Sequence, residues 1–287
     1  MFHCYHCSVS SSFANFLRSE DPNLHTEYRM EVFKETSGGS NKPIFTSKPT
    51  PPKEVAKSIN KIDPDIIMLD KLPRNSSVID YVNSRCIPES AWGQLGVVAD
   101  FYKFGSKYDS IFDGLNKPQP RLVFPFLDTD GSVICYSGRA FGKEQPKYVT
   151  VMVDKNRPKI YGLWKLDLNK DIYAVEGQID SLFLDNSIAV NGADFTLPFL
   201  TKHKDKIIIV PDSDWKRNKQ VYKMLENVIE LGFRVSLFPD SVPWKDVNDC
   251  IVKGGLKQSK IMKIVRDNIY SGLAAKMEIG FRKKFKL

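Results

Sequence analysis

Long apolar runs and a cysteine framework are both missing from this sequence of 287 residues. Without about 18 consecutive apolar residues, no segment is expected to span a membrane. The N-terminus also lacks the apolar core of a signal peptide. The five cysteines are odd in number, and Cys86, Cys135 and Cys250 are isolated from one another. These absences argue against a secreted, disulfide-bonded protein and favour the reducing cytoplasm.

Negative charge is also scarce relative to positive charge. Lysine and arginine outnumber aspartate and glutamate by 42 to 34, which gives a formal net charge of +8. An excess of this kind favours a polyanionic partner, of which nucleic acid is the commonest. The alternative is a basic soluble protein that has no such partner.

Composition and periodicity divide the chain into five segments. The stretch "TSGGSNKPIFTSKPTPPKE" is rich in glycine, serine and proline and predicts a semi-rigid linker. From about residue 171, buried strands such as "IYAVE" and "IIIVPD" alternate with helical patterns, which predicts a parallel sheet with flanking helices. The predicted segments are an N-terminal segment 1–36, the linker 37–53, a mixed α+β segment 54–168, an α/β domain 169–252 and a basic helical segment 253–287.

Carboxylates follow the predicted strands of this parallel sheet, where active residues usually gather. Like charges that converge there repel one another, and Mg²⁺ resolves the conflict because it prefers carboxylate oxygens. The alternative is that each acid is an ordinary cap or loop residue, since aspartate is common at both. The acids at the strand ends, or in the turns and helices after them, are Glu176, Asp180, Asp212, Asp214, Asp246 and Asp249.

Two motifs in this region resemble the toprim signature, a Glu-Gly after one strand and Asp-x-Asp after a later one. They are "VEGQID" and "VPDSD". A longer series of blocks, between about residues 70 and 280, resembles the primases of T-even-type bacteriophages and, more remotely, bacterial primases. These blocks include "RCIPESAW", "PRLVFP", "SGRAF", "KYVT", "EGQIDSLFLDN", "DVNDCI" and "NIYSGLAAKM". The resemblance implies an α/β toprim domain preceded by a mixed α+β basic subdomain, with a partial zinc ribbon at the N-terminus and a helical C-terminus.

The same resemblance implies a DNA-directed RNA polymerase, a nucleotidyltransferase that makes short RNA primers at the replication fork. Its expected partners are a single-stranded DNA template, ribonucleoside triphosphates and a replicative helicase, and its expected location is the cytoplasm of a host cell. The expected cofactor at the toprim site is Mg²⁺ or Mn²⁺.

Residue roles carry over from the family motif by motif. The implied catalytic residues are Glu176, Asp180, Asp212 and Asp214. The implied metal ligands are Glu176, Asp212, Asp214 and Asp249, with Asp246 as a weaker candidate. Arg121, Arg139 and Lys147 lie in motifs that resemble the basic subdomain and are expected to bind nucleic acid or nucleotide.

The N-terminal "FHCYHC" resembles the second cysteine pair of the family's zinc ribbon. His3, Cys4, His6 and Cys7 lie in a window too short to surround one tetrahedral ion. Cys4 and Cys7 are therefore predicted to be half of a zinc site. The first pair is expected upstream of this chain or on another polypeptide, and the alternative is that both thiols are vestigial.

Two other functions remain open at this point. One is a different toprim enzyme, a nuclease or a topoisomerase, although the chain has little room for the tyrosine domain that a topoisomerase requires. The other is a non-catalytic accessory form of a primase that holds template or helicase without initiating synthesis.

Overall fold

The structure is a computed structural model, and the part of the chain that it describes consists of residues 2–3, 10–11, 62–114, 118–190 and 197–285. The chain forms two compact units, Met1–Glu54 and Val55–Leu287. Each unit is described by itself. The second unit carries nearly all of the described residues and both of the larger sheets.

In the first unit, two short strands pair antiparallel. They are β1 (Phe2–His3) and β2 (Ser10–Ser11). The two cysteines of the predicted zinc half-site, Cys4 and Cys7, lie outside the described residues, as does the predicted linker 37–53. The zinc half-site therefore stays a prediction.

The first part of the second unit is a five-stranded antiparallel sheet flanked by short helices. Its elements are β3 (Ile67–Met68), α1 (Ser77–Ser84), β4 (Gly96–Val98), α2 (Phe101–Gly105), β5 (Arg121–Leu127), β6 (Val133–Ala140) and β7 (Tyr148–Met152). The strands follow one another in the order β3–β4–β5–β6–β7. Every residue of β6 is buried, because both faces of this strand pack against other elements. The sequence predicted the β5–β6 hairpin, and Gly131 takes the positive φ of +80° that its turn requires.

The second part of the unit is a six-stranded sheet. Its elements are β8 (Ile160–Tyr161), β9 (Ile172–Val175), α3 (Gln178–Ser181), β10 (Ser187–Val190), α4 (Pro198–Lys202), β11 (Ile207–Ile209), α5 (Lys219–Glu230), β12 (Arg234–Ser236), α6 (Val247–Val252), α7 (Gln258–Asp267), β13 (Ile269–Tyr270) and α8 (Gly272–Arg282). The strand order is β13–β12–β11–β9–β10–β8. The four inner strands are parallel, and the two edge strands run antiparallel to their neighbours.

Local sequence explains the longest helix of this part. The side chain of Asn218 caps the start of α5 by accepting hydrogen bonds from the backbone N–H groups of Gln220 and Val221. Apolar residues at helical spacing, including Leu225 and Ile229, are buried on one face of the helix. Gly232 ends the helix with a φ of +92°, a conformation that glycine adopts without a steric penalty.

Aromatic packing joins the two sheets of the second unit. The ring of Tyr161, on β8, lies edge-on to the rings of Phe124 and Phe126 on β5, at centroid distances of 5.8 and 5.3 Å. All three side chains are fully buried and belong to one continuous core. Because rings in this arrangement attract one another and resist sliding, the sheets are held in a fixed relation.

The predicted α/β class is confirmed by this architecture. A largely parallel sheet with helices follows a mixed segment whose strands are antiparallel. No helix in the described part of the chain is both long and apolar enough to cross a bilayer.

Replacing Gly138 with alanine is expected to destabilise the second unit. A Cβ at this position would lie 2.6 Å from the ring of Phe101, which is fully buried and has no room to move. We expect the free energy of unfolding in urea to fall by about 2 kcal/mol. Gly93→Ala is the control, because nothing lies within 4 Å of a Cβ there. Equal losses in both variants would contradict this packing.

Candidate active site

Three carboxylates come together where two neighbouring parallel strands end. Glu176 follows β9 directly, and Asp212 and Asp214 follow β11 in the segment that opens the 3-10 helix Ser213–Lys216. Since β9 and β11 are paired in parallel register, their carboxyl ends lie at the same edge of the sheet. The sequence predicted this convergence, and the structure places the three side chains together.

Burial raises the pKa of two of these acids, Glu176 and Asp212. It raises the pKa of Glu176 to about 7, and the charges of Asp212 and Asp214 add to the rise. Burial also raises the pKa of Asp212 to about 6, against the opposing effect of the nearby Lys245 ammonium. Two carboxylate oxygens of the cluster, Glu176 Oε1 and Asp214 Oδ1, are buried and have no hydrogen-bond partner among the described residues.

Lys245 supplies the positive charge nearest to this cluster. Its Nζ lies 3.0 Å from Asp212 Oδ2 and 3.7 Å from Asp214 Oδ2. Burial alone would lower the pKa of Lys245, but the hydrogen bond and charge of Asp212 outweigh it and raise that pKa. In this conformation, no three His, Cys, Asp or Glu side chains of the described ranges are gathered closely enough to ligate a metal ion. The lysine thus partly neutralises the negative charge of the cluster.

Asp180 lies on α3, beside the cluster. Its carboxylate accepts a hydrogen bond from the backbone N–H of Asn248 at 2.8 Å, which ties α3 to α6. Burial raises the pKa of Asp180, and Asp246 adds to the rise. The fold requires glycine at position 177, because a Cβ there would collide with Oδ2 of Asp180. The Glu-Gly pair of the sequence motif therefore has two roles. Glu176 contributes its own carboxylate, and Gly177 leaves space for the carboxylate of Asp180.

The remaining two acids have local partners. The side chain of Asp246 caps α6 by accepting a hydrogen bond from the backbone N–H of Asp249 at 2.7 Å. The carboxylate of Asp249 is 2.7 Å from the ammonium of Lys253, one turn further along the helix. Both acids still line the cavity described next. Of the two, Asp246 has the stronger electrostatic effect on the cluster, since its charge raises the pKa of both Asp180 and Asp212.

A cavity of about 440 Å³ opens between the acids and a group of basic side chains. Arg85, Arg139 and Lys147 line it opposite the carboxylates. The Nε of Arg139 donates to the hydroxyl of Tyr81 at 2.6 Å, and Nη1 donates to the hydroxyl of Tyr148. These contacts fix the guanidinium, whereas Lys147 is exposed at the rim. Burial lowers the pKa of Lys147, and the charges of Arg139 and Arg85 lower it further.

Arg121 does not reach this cavity. It is fully buried, and its guanidinium donates to the backbone carbonyls of Gly138, Pro146 and Lys147 at 3.0 to 3.3 Å. A fourth hydrogen bond, of 2.7 Å, goes to Oε1 of Gln119. The structure therefore separates Arg121 from Arg139 and Lys147, with which the sequence grouped it, and places it as a support for the backbone beside them.

Several residues that line the cavity were not predicted from the sequence, among them Arg85, Lys245 and Asn248. Arg85 lies in the motif "RCIPESAW" and Asn248 in "DVNDCI", whereas Lys245 directly precedes the second motif. A single Lys or Arg in a sequence usually belongs to a solvated surface side chain. The motifs therefore indicated the region of the site but not these side chains.

Known proteins resemble this chain over nearly its whole length. No family model matches it. The DNA primase of Enterobacteria phage T4 is 36% identical over 284 residues, covering 97% of this chain and 80% of that protein. The chain belongs to the DNA primase family. The DNA primase of Thermotoga maritima is 22% identical over 93% of this chain, which spans about half (53%) of that protein's length.

Solved structures agree on the fold. A DnaG primase catalytic domain bound to single-stranded DNA has a TM-score of 0.54 at 18% identity, covering 73% of this chain and 77% of that one. The Escherichia coli primase catalytic core has a TM-score of 0.53 at 16% identity, covering 76% and 80%. An Aquifex aeolicus primase with zinc-binding and RNA polymerase domains has a TM-score of 0.51 at 18% identity, covering 93% and 72%.

Membership of this family gives the activity. A DNA primase is a DNA-directed RNA polymerase, a nucleotidyltransferase that synthesises RNA primers for DNA replication, and the prediction from the sequence is confirmed at this level. The roles of individual residues are a separate matter.

Substitution of Arg121 and of Lys147 should have different effects. Arg121→Ala is expected to lower the free energy of unfolding by about 3 kcal/mol, because it removes four buried hydrogen bonds and leaves a cavity. Lys147→Ala should leave stability within about 0.5 kcal/mol and weaken binding of single-stranded DNA. The slope of log Kd against log salt should fall by about 0.7.

Urea denaturation and fluorescence anisotropy measure the two effects. Lys143→Ala is the control for Lys147, since Lys143 is exposed on the same loop and does not line the cavity. An Arg121→Ala protein of normal stability, or equal DNA affinities of the Lys143 and Lys147 variants, would contradict these assignments.

The metal-free protein should lose stability as pH rises through the range in which the buried acids ionise. Glu176 and Asp212 have folded pKa values of about 7 and about 6, above their usual 4.5 and 3.8. Between these values the folded state binds more protons than the unfolded chain, so stability falls as pH rises. In EDTA we expect Tm to fall by on the order of 5 °C between about pH 5 and about pH 8.

Glu176→Gln should flatten this profile, and subtracting the two profiles isolates Glu176 from other titrating groups. Glu226→Gln, on α5 and outside the acidic cluster, should keep the wild-type profile. If Glu176→Gln leaves the pH dependence unchanged, the raised pKa is wrong.

Proposed function

We propose that the acidic cluster is the catalytic centre for primer synthesis and that it works with divalent metal. The observation that carries this proposal is the convergence of Glu176, Asp212 and Asp214 at the ends of β9 and β11, where Glu176 and Asp212 line the same cavity as Arg139 and Lys147. The acids form a candidate cation site, and the bases form a candidate site for phosphates. Nucleotidyl transfer on a template needs both within reach of each other.

The residues present fit a hard divalent cation. All the donors are carboxylate oxygens, which Mg²⁺ prefers, and two of them are buried without partners. Glu176, Asp212 and Asp214 would hold the ion, with Asp180 and Asp246 beside them. When bound, Mg²⁺ or Mn²⁺ would lower the pKa of a primer hydroxyl and stabilise the charge on the triphosphate. This donor set agrees with the predicted toprim signature.

The proposed reaction joins one ribonucleotide to the next. The 3′-oxygen of the growing primer bonds to the α-phosphorus of a nucleoside triphosphate, the bond from that phosphorus to the bridging oxygen breaks, and pyrophosphate leaves with the electron pair. The hydroxyl proton passes to a nearby base. Glu176 would take this proton only where it is not itself a metal ligand, since the raised pKa of about 7 belongs to the metal-free carboxylate.

The basic side of the cavity is proposed to hold template and primer. Arg139 is fixed by two tyrosine hydroxyls and offers its guanidinium in a defined orientation, while Lys147 and Arg85 add charge at the rim. Contacts of this type bind the phosphate backbone and carry little sequence information. We therefore propose single-stranded DNA and ribonucleotides as the ligands of this face, and a replicative helicase as a further partner that the family resemblance implies. Zinc at Cys4 and Cys7 remains a separate prediction, tested by zinc content.

Primer synthesis tests the proposal directly. The chain is incubated with single-stranded DNA, the four ribonucleotides and Mg²⁺, with and without the cognate helicase, and short RNA is measured. Asp212→Asn/Asp214→Asn should lower the yield on the order of 100-fold or more, because it removes charge at the reacting centre. We also expect the wild type to bind Mn²⁺ and the same variant to lose this binding, as measured by electron paramagnetic resonance.

Asp185→Asn is the matched control, since Asp185 is an exposed acid that pairs with Arg266 away from the cavity. DNA binding without RNA product in the wild type would favour the accessory function. Nicking or relaxation of DNA without ribonucleotides would favour another toprim enzyme. Full activity of the double variant would remove the acidic cluster from the mechanism.

A further inference from the structure

A second cavity, of about 410 Å³, begins at Asp214. Its walls come from the 3-10 helix Ser213–Lys216 with Arg217, from the loop that carries Asp240, and from Lys284 near the C-terminus. Lys245 lines both this cavity and the first one. The two cavities are therefore neighbours, with Lys245 between them, and the second has no role in the site described so far.

Positive charge dominates the second cavity. Four cations and two carboxylates line it, an excess of two charges (four minus two). The carboxylate of Asp240 is 2.7 Å from the ammonium of Lys216, which is itself nearly buried. Within the described ranges, Arg217 and Lys284 form no ion pair. The lining cations are Lys216, Arg217, Lys245 and Lys284, and the carboxylates are Asp214 and Asp240.

The fold holds the C-terminal segment against this cavity. The guanidinium of Arg282 donates to the carbonyl of Phe238 at 3.0 Å, and the backbone N–H of Lys284 donates to the carbonyl of Lys216 at 2.7 Å. The ring of Phe285 packs edge-on against Tyr222, with a centroid distance of 5.4 Å. Lys284 is thus placed by tertiary contacts and is a built part of the cavity wall.

We propose that the second cavity binds a polyphosphate chain, either the β- and γ-phosphates of an incoming nucleoside triphosphate or the pyrophosphate released from it. Lysine ammonium groups and a guanidinium are the groups that bind phosphate oxygens. The apolar part of the lining is Val242 and Pro243, and no aromatic ring of the described residues lines it. The cavity therefore offers charge for phosphates and no stacking surface for a base.

The position of the cavity supports this ligand. This inference rests on the proposed function, in which the α-phosphorus reacts at Glu176, Asp212 and Asp214. Template, primer and ribonucleotide share the cations of the first cavity, and the cations of the second cavity, with Lys245 common to both, are additional positive groups beside it. Asp214, one of the three acids of the reacting centre, lines the second cavity together with Lys216, Arg217, Lys245 and Lys284.

Binding of inorganic tripolyphosphate to the full chain in EDTA is the first test. Isothermal titration calorimetry compares the wild type with Arg217→Gln/Lys284→Gln, which removes the two exposed, unpaired cations. We expect Kd to rise about tenfold, because two charge-assisted contacts to phosphate are lost. Both side chains lie on the surface, and circular dichroism confirms that the variant is folded.

Lys257→Gln/Lys260→Gln is the matched control, since it removes two exposed charges from the start of α7 without touching the cavity. An equal loss in both double variants would mean that a diffuse basic surface binds the anion, and it would overturn the proposal. No loss in either variant would overturn it as well. Complete displacement of tripolyphosphate by a short single-stranded DNA would assign the cavity to the nucleic-acid backbone instead.

Steady-state primer synthesis distinguishes the two sources of the phosphate chain. In the Arg217/Lys284 variant, a rise in KM for ribonucleotides assigns the cavity to the incoming triphosphate, and a rise in the inhibitory concentration of pyrophosphate assigns it to the product. Unchanged values with normal primer synthesis would overturn this inference and leave the proposed function intact. If the variant weakens tripolyphosphate binding but the wild type makes no primers, the phosphate site stands and the proposed function is overturned.

Discussion

The convergence of carboxylates at the ends of two adjacent parallel strands is the constraint that the rest of the second unit has to accommodate. Bringing Glu176 and Asp212 together out of water, next to Asp214, is unfavourable, as the raised pKa values of Glu176 and Asp212 show. The fold offsets part of this cost through three contacts. The ammonium of Lys245 lies beside Asp212, the backbone N–H of Asn248 donates to Asp180, and Gly177 leaves space for the Asp180 carboxylate. A divalent cation, as proposed above, would supply the remaining compensation.

On the basic side of the cavity, two neighbouring arginines have different roles. Arg121 and Arg139 both come from the β5–β6 hairpin, yet one is used for architecture and the other for the site. The buried guanidinium of Arg121 donates to the carbonyl of Gly138, which precedes Arg139, and to the carbonyl of Lys147. A basic residue in a basic motif can therefore serve binding indirectly, by fixing the loop that carries the exposed charges.

Sequence patterns predicted the parts of the fold that repeat. Buried strands such as Ile207–Ile209 and the amphipathic helix Lys219–Glu230 are long or regular enough to carry a period. The edge strands Ile160–Tyr161 and Ile269–Tyr270 are two residues each, carry no period, and exist because a neighbouring strand is there to pair with them. The acids were predicted because they directly follow apolar runs that mark buried strands in the sequence. The counter-charge of Lys245 and the burial of Arg121 were not, because both depend on which distant residues the fold brings alongside.

Those two edge strands also determine when the sheet can close during synthesis on the ribosome. Tyr161 pairs with Ala189, so the first edge strand must wait for a partner made later, and the other edge is complete only when Tyr270 reaches Val235. Until then the backbone of β12 presents unpaired N–H and C=O groups that could recruit another chain. The acids between the edges are in place earlier. Pairing of β13 with β12 thus covers this edge and protects the sheet from aggregation.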